Sequence, residues 1–226
     1  MTQKDRLIIG ITGASGVIYG IRFLQLLKNT PIETHLVLSK AAERTIAYET
    51  DYKIREIKDM ADVLHDNADI GAPIASGSFR VRGMVIAPCS MKSLAEVASG
   101  VADNLIARAA DVMLKERRRL VLMARETPLH AGHIRNMAQA TENGAIIAPP
   151  VPAFYARPTS LDQRISATPS IDKADQRRRH IPPASNQSGL AINKHGPLPM
   201  GQWPQSFQPR RTGYAVQCVR PAIRLI

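Results

Sequence analysis

The sequence predicts an α/β fold in which helices cover both faces of a parallel sheet. Short runs rich in Val, Ile and Leu alternate along the chain with segments whose apolar residues recur at helical spacing. Such apolar runs are typical of strands buried on both faces, and parallel strands need a crossover to reach the next strand. The alternation therefore favours a parallel sheet between two helical layers.

Five strands and five helices are expected over the first 150 residues. The helical spacing is clear at Ile18, Ile21, Leu24 and Leu27, and Gly144 is a stop signal for the last helix. Strands are predicted at 6–12, 32–39, 83–88, 119–124 and 145–150, and helices at 17–29, 40–50, 91–100, 103–118 and 133–144. The polar, Gly/Ser-rich stretch 66–82 is interpreted as a connection.

The composition changes near Gln163, which divides the chain into residues 1–162 and 163–226. The second part has ten Lys and Arg, two acidic residues and eight prolines, so it holds +8 of the net charge of +11 and leaves +3 for the first part. It shows no hydrophobic period and offers too little apolar surface to offset the entropy lost on ordering. We predict one folded domain followed by a basic, Pro/Arg-rich, irregular tail.

The cysteine count, the N-terminal pattern and the length of the apolar runs indicate a cytoplasmic protein. Two cysteines argue against a disulfide scaffold, the N-terminus has no signal-peptide pattern, and no apolar run approaches the length of a membrane helix. Aromatic residues are scattered in the basic tail, so nucleic acid is not expected as a partner. The lack of a long apolar run means that a membrane is not expected either.

The first predicted strand ends in GITGASG, residues 10–16, whose small residues enter a helix. Gly13 and Gly16 let a ligand approach the backbone, Ser15 adds a hydroxyl, and N–H groups at a helix start favour an anion. The plainer alternative is a tight turn without a ligand. A nicotinamide site is not favoured, because G-x-G-x-x-G is absent and Leu38-Ser39-Lys40 offers no acid to hold a ribose.

A second candidate anion loop, PCSMKS, follows the predicted strand at 83–88. Ser90, Lys92 and Ser93 bring hydroxyls and a positive charge to a helix start, although Ser90 could be only a helix cap. Because ligands lie at the carboxyl ends of parallel strands, the two loops together predict one phosphorylated ligand. Cys89 is expected to be a small buried residue, since no motif offers it a His partner.

Segments in collinear order resemble the UbiX-type flavin prenyltransferases, in particular the small subunit-B partners of phenolic-acid decarboxylases. They are GITGASG, LVLSKAA, YETDY, SGSF, the run from PCSMKSLAEVASG to DVMLKERR, RETPL and PPVPAFYARPTSLD. The resemblance covers roughly residues 6–162.

This resemblance implies a three-layer Rossmann-like or flavodoxin-like fold, a homododecamer, and no metal. It implies that the dimethylallyl group of dimethylallyl phosphate is joined to N5 and C6 of reduced FMN, and that the prenylated FMN passes to a UbiD-type decarboxylase. The FMN contacts it implies are Gly13, Ala14, Ser15, Ser39, Ser90, Met91, Lys92, Ser93 and Arg125. The catalytic residues it implies are Ser15, Glu49 and Glu126, and the prenyl-phosphate contacts are Arg108, Lys115 and Tyr155.

These residue types suit the implied chemistry. Departure of phosphate from an allylic carbon leaves a cation-like fragment and an anion, which Arg108, Lys115 and Arg125 can stabilise. Glu126 can accept the C6 proton after the new bond forms. Plainer interpretations remain, such as a solvated helix end for Lys115 or a loop ion pair between Arg125 and Glu126.

The tail departs from the family pattern, in which a C-terminal helix supplies a further cation to the prenyl phosphate. That position is Ile171 here, and the helical period is lost from Gln163 onward, as after a change of reading frame. The alternative function is therefore an FMN-binding accessory protein with impaired catalysis. A flavin-dependent cysteine decarboxylase is less favoured, because no His occurs in residues 1–34 and the P-x-M-N-x-x-M-W-type segment is absent.

Overall fold

The structure, a computed structural model, describes residues 5–151. Its strands are β1 (Arg6–Ile11), β2 (Glu33–Leu38), β3 (Val63–Asp66), β4 (Gly83–Cys89), β5 (Arg119–Ala124) and β6 (Ile146–Ile147). Its helices are α1 (Ile18–Leu27), α2 (Lys40–Glu49), α3 (Ile54–Lys58), α4 (Met91–Ser99), α5 (Leu105–Lys115) and α6 (Ala131–Glu142). All strands pair in parallel, in the order β3-β2-β1-β4-β5-β6. This is the order of a doubly wound Rossmann sheet, which confirms the predicted class.

The apolar side chains of the sheet form two buried clusters, one on each face. On β1, Leu7, Ile9 and Ile11 pack with residues of α1, α2 and α3, whereas Ile8 packs with residues of α4, α5 and α6. Successive side chains of a strand point to opposite faces, so one strand serves both clusters. All seven residues of β4 are buried, as expected where helices cover both faces. The three layers predicted from the sequence are therefore present.

The predicted strands and helices are all found, and the structure adds three short elements: β3, α3 and a 3-10 helix at Pro73–Ala75. β3 has four residues at the edge of the sheet, and its side chains alternate between half-buried and exposed. α3 has only five residues. Segments this short give no clear periodicity, which explains why the sequence predicts none of them. Among the helices of residues 5–151, none combines the length and the apolar character that crossing a membrane requires.

Backbone hydrogen bonds link the carboxyl ends of four neighbouring strands. Ser39 donates its N–H to the carbonyl of Ile11 (3.1 Å), which joins the ends of β2 and β1. Arg125 donates its N–H to the carbonyl of Cys89 (3.2 Å), which joins the ends of β5 and β4. The residues that follow β1, β2, β4 and β5 are thereby held in one row. The predicted tail and Tyr155 lie outside the described residues.

Candidate functional site

A cavity of about 720 Å³ lies at the carboxyl edge of the sheet, where β1, β2 and β4 end. Its volume falls in the range of sites that bind cofactors and other small molecules. Five of the residues predicted to contact FMN line it, namely Gly13, Ser39, Ser90, Lys92 and Ser93. The first loop (residues 12–17, between β1 and α1) and the second loop (residues 88–93, from the end of β4 into α4) therefore meet at one cavity.

Serine caps begin two of the helices at this cavity. Ser39 Oγ accepts a hydrogen bond from the N–H of Ala42 (3.0 Å), and Ser90 Oγ accepts one from the N–H of Ser93 (3.2 Å). Ser90 is thus a helix cap, as its plainer interpretation has it, and it also lines the cavity. Because Ser39 and Ser90 also line the cavity, the starts of α2 and α4 and their positive dipole ends face it. Such helix starts favour a phosphate.

Glu49, the last residue of α2, contacts the first loop. Its carboxylate accepts hydrogen bonds from the N–H groups of Gly16 (2.8 Å) and Val17 (3.3 Å). Within residues 5–151, the N–H groups of Gly13, Ala14 and Ser15 have no hydrogen-bond partner. The loop thus has three successive N–H donors without a partner among the described residues, while a carboxylate holds the next two.

Two positions of the first loop require glycine. A Cβ on Gly13 would lie 2.4 Å from the Cβ of Ala41, because the start of α2 packs directly against the loop. Gly16 has φ +97°, in the left-handed region that other residues rarely adopt. The close approach of α2 brings Ser39 and Lys40 beside the first loop, as the shared cavity shows.

Thr12 joins the first loop to the second and is a residue to which the sequence assigns no role. Its side chain is buried, with only 1% exposed. Its Oγ1 donates to the carbonyl of Pro88 (2.8 Å) and accepts from the N–H of Ser90 (2.8 Å). The Thr12 N–H also donates to the Pro88 carbonyl (3.2 Å). Its partners lie 76 and 78 residues away along the chain, so no local pattern could reveal them.

The cavity wall carries charges of both signs, and two of its acids are paired. Glu43 forms an ion pair with Lys58 (2.8 Å). Glu96 pairs with Lys92 (3.3 Å) and also accepts a hydrogen bond from Asn104 Nδ2 (3.3 Å). The cations that line the cavity are Lys40, Arg44 and Lys92. An anionic ligand therefore meets cations whose neighbouring carboxylates are partly neutralised.

Two asparagines that the sequence does not single out shape the far wall. Asn67 accepts hydrogen bonds from the N–H groups of Leu105 (2.9 Å) and Ile106 (3.1 Å), and Asn104 caps α5 by accepting from Ala107 (3.1 Å). Asn104 carries a local signal, since Asn before a helical apolar pattern is a preferred N-cap. Asn67 carries none, because its partner Ile106 is 39 residues away.

Other predicted FMN contacts lie near the cavity without lining it. Ala14 and Ser15 are in the first loop, and Met91 is the first residue of α4. Arg125 follows β5, and its guanidinium lies close enough to lower the pKa of Tyr19 on α1, although burial has the larger effect and raises that pKa overall. Arg125, which follows β5, therefore lies near α1, the helix that follows the first loop.

The predicted prenyl-phosphate and proton-transfer residues are separated from the cavity in the single chain. Arg108 and Lys115 lie two turns apart on α5, and each forms an ion pair within its own segment, with Asp111 (2.8 Å) and with Glu116. Glu126 accepts a hydrogen bond from the N–H of Thr127 (2.9 Å). None of the three lines the cavity that the described residues form.

Cys89 lies at the end of β4 and is fully buried, as predicted. Desolvation and, to a smaller extent, the nearby Glu96 carboxylate raise the pKa of its thiol to about 12. The thiol is therefore protonated at neutral pH and is a poor nucleophile. Its place in the site is that of a small packing residue.

Comparisons with known proteins agree with this geometry. The profile of the Flavoprotein family matches residues 1–173. The flavin prenyltransferase UbiX of Thauera aromatica is 59% identical over 172 residues, which cover 75% of this chain and 89% of that protein.

Solved structures agree as well. The crystal structure of AnUbiX (PadA1) in complex with FMN and dimethylallyl pyrophosphate superposes with a TM-score of 0.72 at 52% identity, over 74% of this chain and 88% of that one. A dodecameric FMN-dependent UbiX-like decarboxylase from Escherichia coli O157:H7 gives a TM-score of 0.71 at 45% identity, over 81% of this chain and 100% of that one. With the two loops, the helix starts and the sheet order already described, these matches show that the chain belongs to the UbiX flavin prenyltransferase family.

Proposed function

We propose that the chain transfers the dimethylallyl group of dimethylallyl phosphate to N5 and C6 of reduced FMN. The observation that carries the proposal is the meeting of the first and second loops at one cavity, with the N–H groups of Gly13, Ala14 and Ser15 available to an anion. The solved relative that holds both FMN and dimethylallyl pyrophosphate supports it. An accessory protein without transfer activity is not favoured, because the identity to flavin prenyltransferases spans most of their length.

The residues present fit an FMN molecule. A phosphate needs donors and positive potential, and the cavity offers backbone N–H groups, serine hydroxyls, two helix starts and Lys92. Bound reduced flavin supplies the nucleophile for the transfer. The residues proposed to hold it are Gly13, Ala14, Ser15, Ser39, Ser90, Met91, Lys92, Ser93 and Arg125.

Arg108, Lys115 and Tyr155 are proposed to hold the prenyl phosphate and to stabilise the departing anion. The ion pairs of Arg108 and Lys115 do not prevent this role. Their side chains are 39% and 46% exposed, and exposed pairs contribute only about 0–1 kcal/mol. A phosphate with close to two negative charges can therefore replace Asp111 and Glu116 as partners.

Ser15, Glu49 and Glu126 are proposed to act on protons at the reacting atoms. Glu126 would accept the C6 proton, and its exposed position after β5 leaves its carboxylate free of buried partners among the described residues. Glu49 is fixed by Gly16 and Val17, so it is held next to Ser15 in the first loop. The loop thereby keeps a hydroxyl and a carboxylate close together.

We further infer that the chain acts in the cytoplasm, uses no metal, and passes prenylated FMN to a UbiD-type decarboxylase. Assembly into a homododecamer is proposed because the UbiX-like relative from Escherichia coli O157:H7 is dodecameric. The separation of Arg108 and Lys115 from the cavity of the single chain supports a site that assembly completes. Residues 1–162 are proposed as the catalytic domain, with residues 163–226 as a tail that contributes little to flavin binding.

A turnover experiment tests the proposal. The full chain is incubated without oxygen with reduced FMN and dimethylallyl phosphate, and the flavin is analysed by absorption and mass, with free phosphate assayed in parallel. The expected result is a flavin carrying one added prenyl group and one phosphate released for each flavin converted. Unchanged flavin and no phosphate release, with FMN bound, would favour the accessory protein instead.

A further inference from the structure

We propose that Thr12 is a positioning residue for flavin binding, because its hydroxyl sets the distance between the first and second loops. The inference rests on the proposed function, in which both loops hold the same FMN. Thr12 and its partner Ser90 both line the cavity, although only 1% of Thr12 is exposed. Because the Thr12 hydroxyl is already bonded to Pro88 and Ser90, it would act on the flavin through them.

Regular strand pairing is interrupted where the second loop meets the first. Pairing between β1 and β4 runs from Leu7 opposite Gly83 to Gly10 opposite Ile86 and then ends. On the other side of β4, the register with β5 shifts between Ile86 and Cys89. Regular pairing of β4 is therefore interrupted on both sides at Ala87 and Pro88, and it resumes with β5 only at Cys89, opposite Ala124.

Thr12 connects the two loops where this pairing is interrupted. Its Oγ1 uses both of its functions, donating to the Pro88 carbonyl and accepting from the Ser90 N–H, each at 2.8 Å. The neighbouring links along this edge, from Ser39 to Ile11 and from Arg125 to Cys89, join backbone atoms only. A substitution of Thr12 can therefore remove the two side-chain bonds between the loops, and it leaves the backbone bond from the Thr12 N–H to the Pro88 carbonyl (3.2 Å).

Removing the hydroxyl should make the distance between the two loops less fixed. A Thr12→Val side chain keeps the shape of threonine, leaves the Ser90 N–H without its acceptor and removes one of the two donors from the Pro88 carbonyl. Donors on different loops bind one ligand well only when their separation is fixed, and a shift of about 1 Å is enough to spoil such an arrangement. FMN affinity should therefore fall although no FMN contact has been changed.

Thr34→Val is a matched control. Thr34 is also buried, with 3% exposed, and its Oγ1 also both donates and accepts, to Asp62 Oδ2 (2.8 Å) and from the Asp62 N–H (3.0 Å). It lies near the start of β2, whereas the cavity lies at the carboxyl end of the sheet. Thr34→Val should lower thermal stability through the same kind of loss, without moving the loops.

The experiment measures FMN dissociation constants by flavin fluorescence for the full chain and its variants, well below their melting temperatures. Thr12→Val should bind FMN at least about tenfold more weakly, whereas Thr12→Ser and Thr34→Val should stay within about threefold of the unchanged chain. Rescue by serine separates the hydroxyl from the shape of the side chain. Wild-type affinity of Thr12→Val, or equal weakening in Thr12→Ser or Thr34→Val, would overturn the inference.

Loss of FMN binding by the unchanged chain and loss of folding by a variant also have defined meanings. Failure of the unchanged chain to bind FMN would contradict the proposed function and not the role of Thr12. If Thr12→Val does not fold, Thr12→Ala is judged by the same criterion. Loss of folding in both, while Thr34→Val folds, would overturn the inference, because the hydroxyl would then serve the fold and not the spacing of the loops.

Discussion

At the scale of single residues, Glu49 shows how one carboxylate can serve both the fold and the proposed reaction. It accepts hydrogen bonds from the N–H groups of Gly16 and Val17, at the start of α1, where a negative charge is favoured. The loop that it holds contains Ser15, the neighbouring residue proposed to act in the reaction. Stability and catalysis should therefore respond differently to its replacement.

Glu49→Gln should lower the free energy of unfolding by about 0.5–1 kcal/mol, since the amide oxygen can still accept both hydrogen bonds, which go to one carboxylate oxygen here, while the charge is lost. Prenyl transfer should fall at least about tenfold, because an amide cannot carry the proton. Chemical denaturation and the turnover assay measure the two effects.

Glu56→Gln is the matched control for this change. Glu56 also accepts a backbone hydrogen bond at a helix start, from the N–H of Lys53 (2.9 Å), and it lies on α3, outside the cavity. It should show the small loss of stability with unchanged turnover. Equal turnover in Glu49→Gln and the unchanged chain would refute the catalytic role of Glu49.

Sequence patterns predict some of these residues and cannot predict others. Ser39 and Ser90 precede helical patterns, so their roles as caps follow from local spacing, and the structure shows that both are helix caps. Thr12 and Asn67 depend on partners far away along the chain, which a single sequence does not reveal. The roles of Arg108, Lys115 and Glu126 stay predictions, because they do not line the cavity of the described chain.

At the scale of the elements, α2 packs directly against the first loop, and we expect this contact to set the width of the proposed flavin site. Gly13→Ala would place a Cβ 2.4 Å from the Ala41 Cβ, so the loop and α2 must separate. We expect a loss of about 1–3 kcal/mol in stability, as for other overpacked contacts, together with weaker FMN binding. Denaturation and FMN titration provide the measurements.

Gly100→Ala gives the control for backbone strain. Gly100 ends α4 with φ +75°, and a Cβ there would meet nothing within 4 Å. It should cost about 1 kcal/mol through strain in the left-handed region and leave FMN affinity unchanged. If Gly13→Ala bound FMN as tightly as Gly100→Ala, the close approach of α2 would not matter for the site.

The edge pair of strands β2 and β3 is joined by two histidines. His35 Nδ1 lies 2.9 Å from His65 Nε2, and His35 Nε2 lies 3.1 Å from Glu33 Oε1, which also accepts from Arg6 Nε (2.8 Å). The pKa of His35 is lowered overall, chiefly by burial and also by Arg6, although Glu33 and Asp62 partly offset this by raising it. Burial and His35 lower the pKa of His65, while Asp69 raises it.

These lowered pKa values predict a loss of stability in mild acid. Below pH 6.5 the histidines of the unfolded chain bind protons that the folded chain resists, so the unfolded state binds more protons and stability falls as pH falls. His65→Gln removes one such group and should make the decline between pH 7.5 and 5.5 shallower. Urea denaturation at several pH values measures it, and an unchanged slope would show that His65 does not contribute.

The elements themselves were predictable where they are long and buried. β1, β4 and β5 lie between two helical layers, so continuous apolar runs identify them. β3 and α3 form through contacts with β2 and α2 and carry too few residues for a period of their own. Tertiary packing, which local patterns do not contain, decides such short segments.

At the scale of the whole molecule, the residues of the proposed flavin site all precede the basic tail in the sequence. The described residues that line the cavity all fall between Thr12 and Ile106, whereas the tail begins near Gln163. A chain that ends at Asp162 should therefore bind FMN within about threefold of the full chain, a difference of less than 1 kcal/mol. Titration of both chains checks this, and tenfold weaker binding by the shorter chain would show that the tail takes part in the site.

The place of the proposed site follows from the sheet, because ligands lie at the carboxyl ends of parallel strands in open α/β folds. The central claim is that the first and second loops hold one flavin mononucleotide between them. A crystal structure of the chain with FMN tests it most directly. We predict the FMN phosphate or ring within hydrogen-bond distance of residues 13–15 and 90–93 together, and a flavin bound elsewhere with both loops empty would contradict the account.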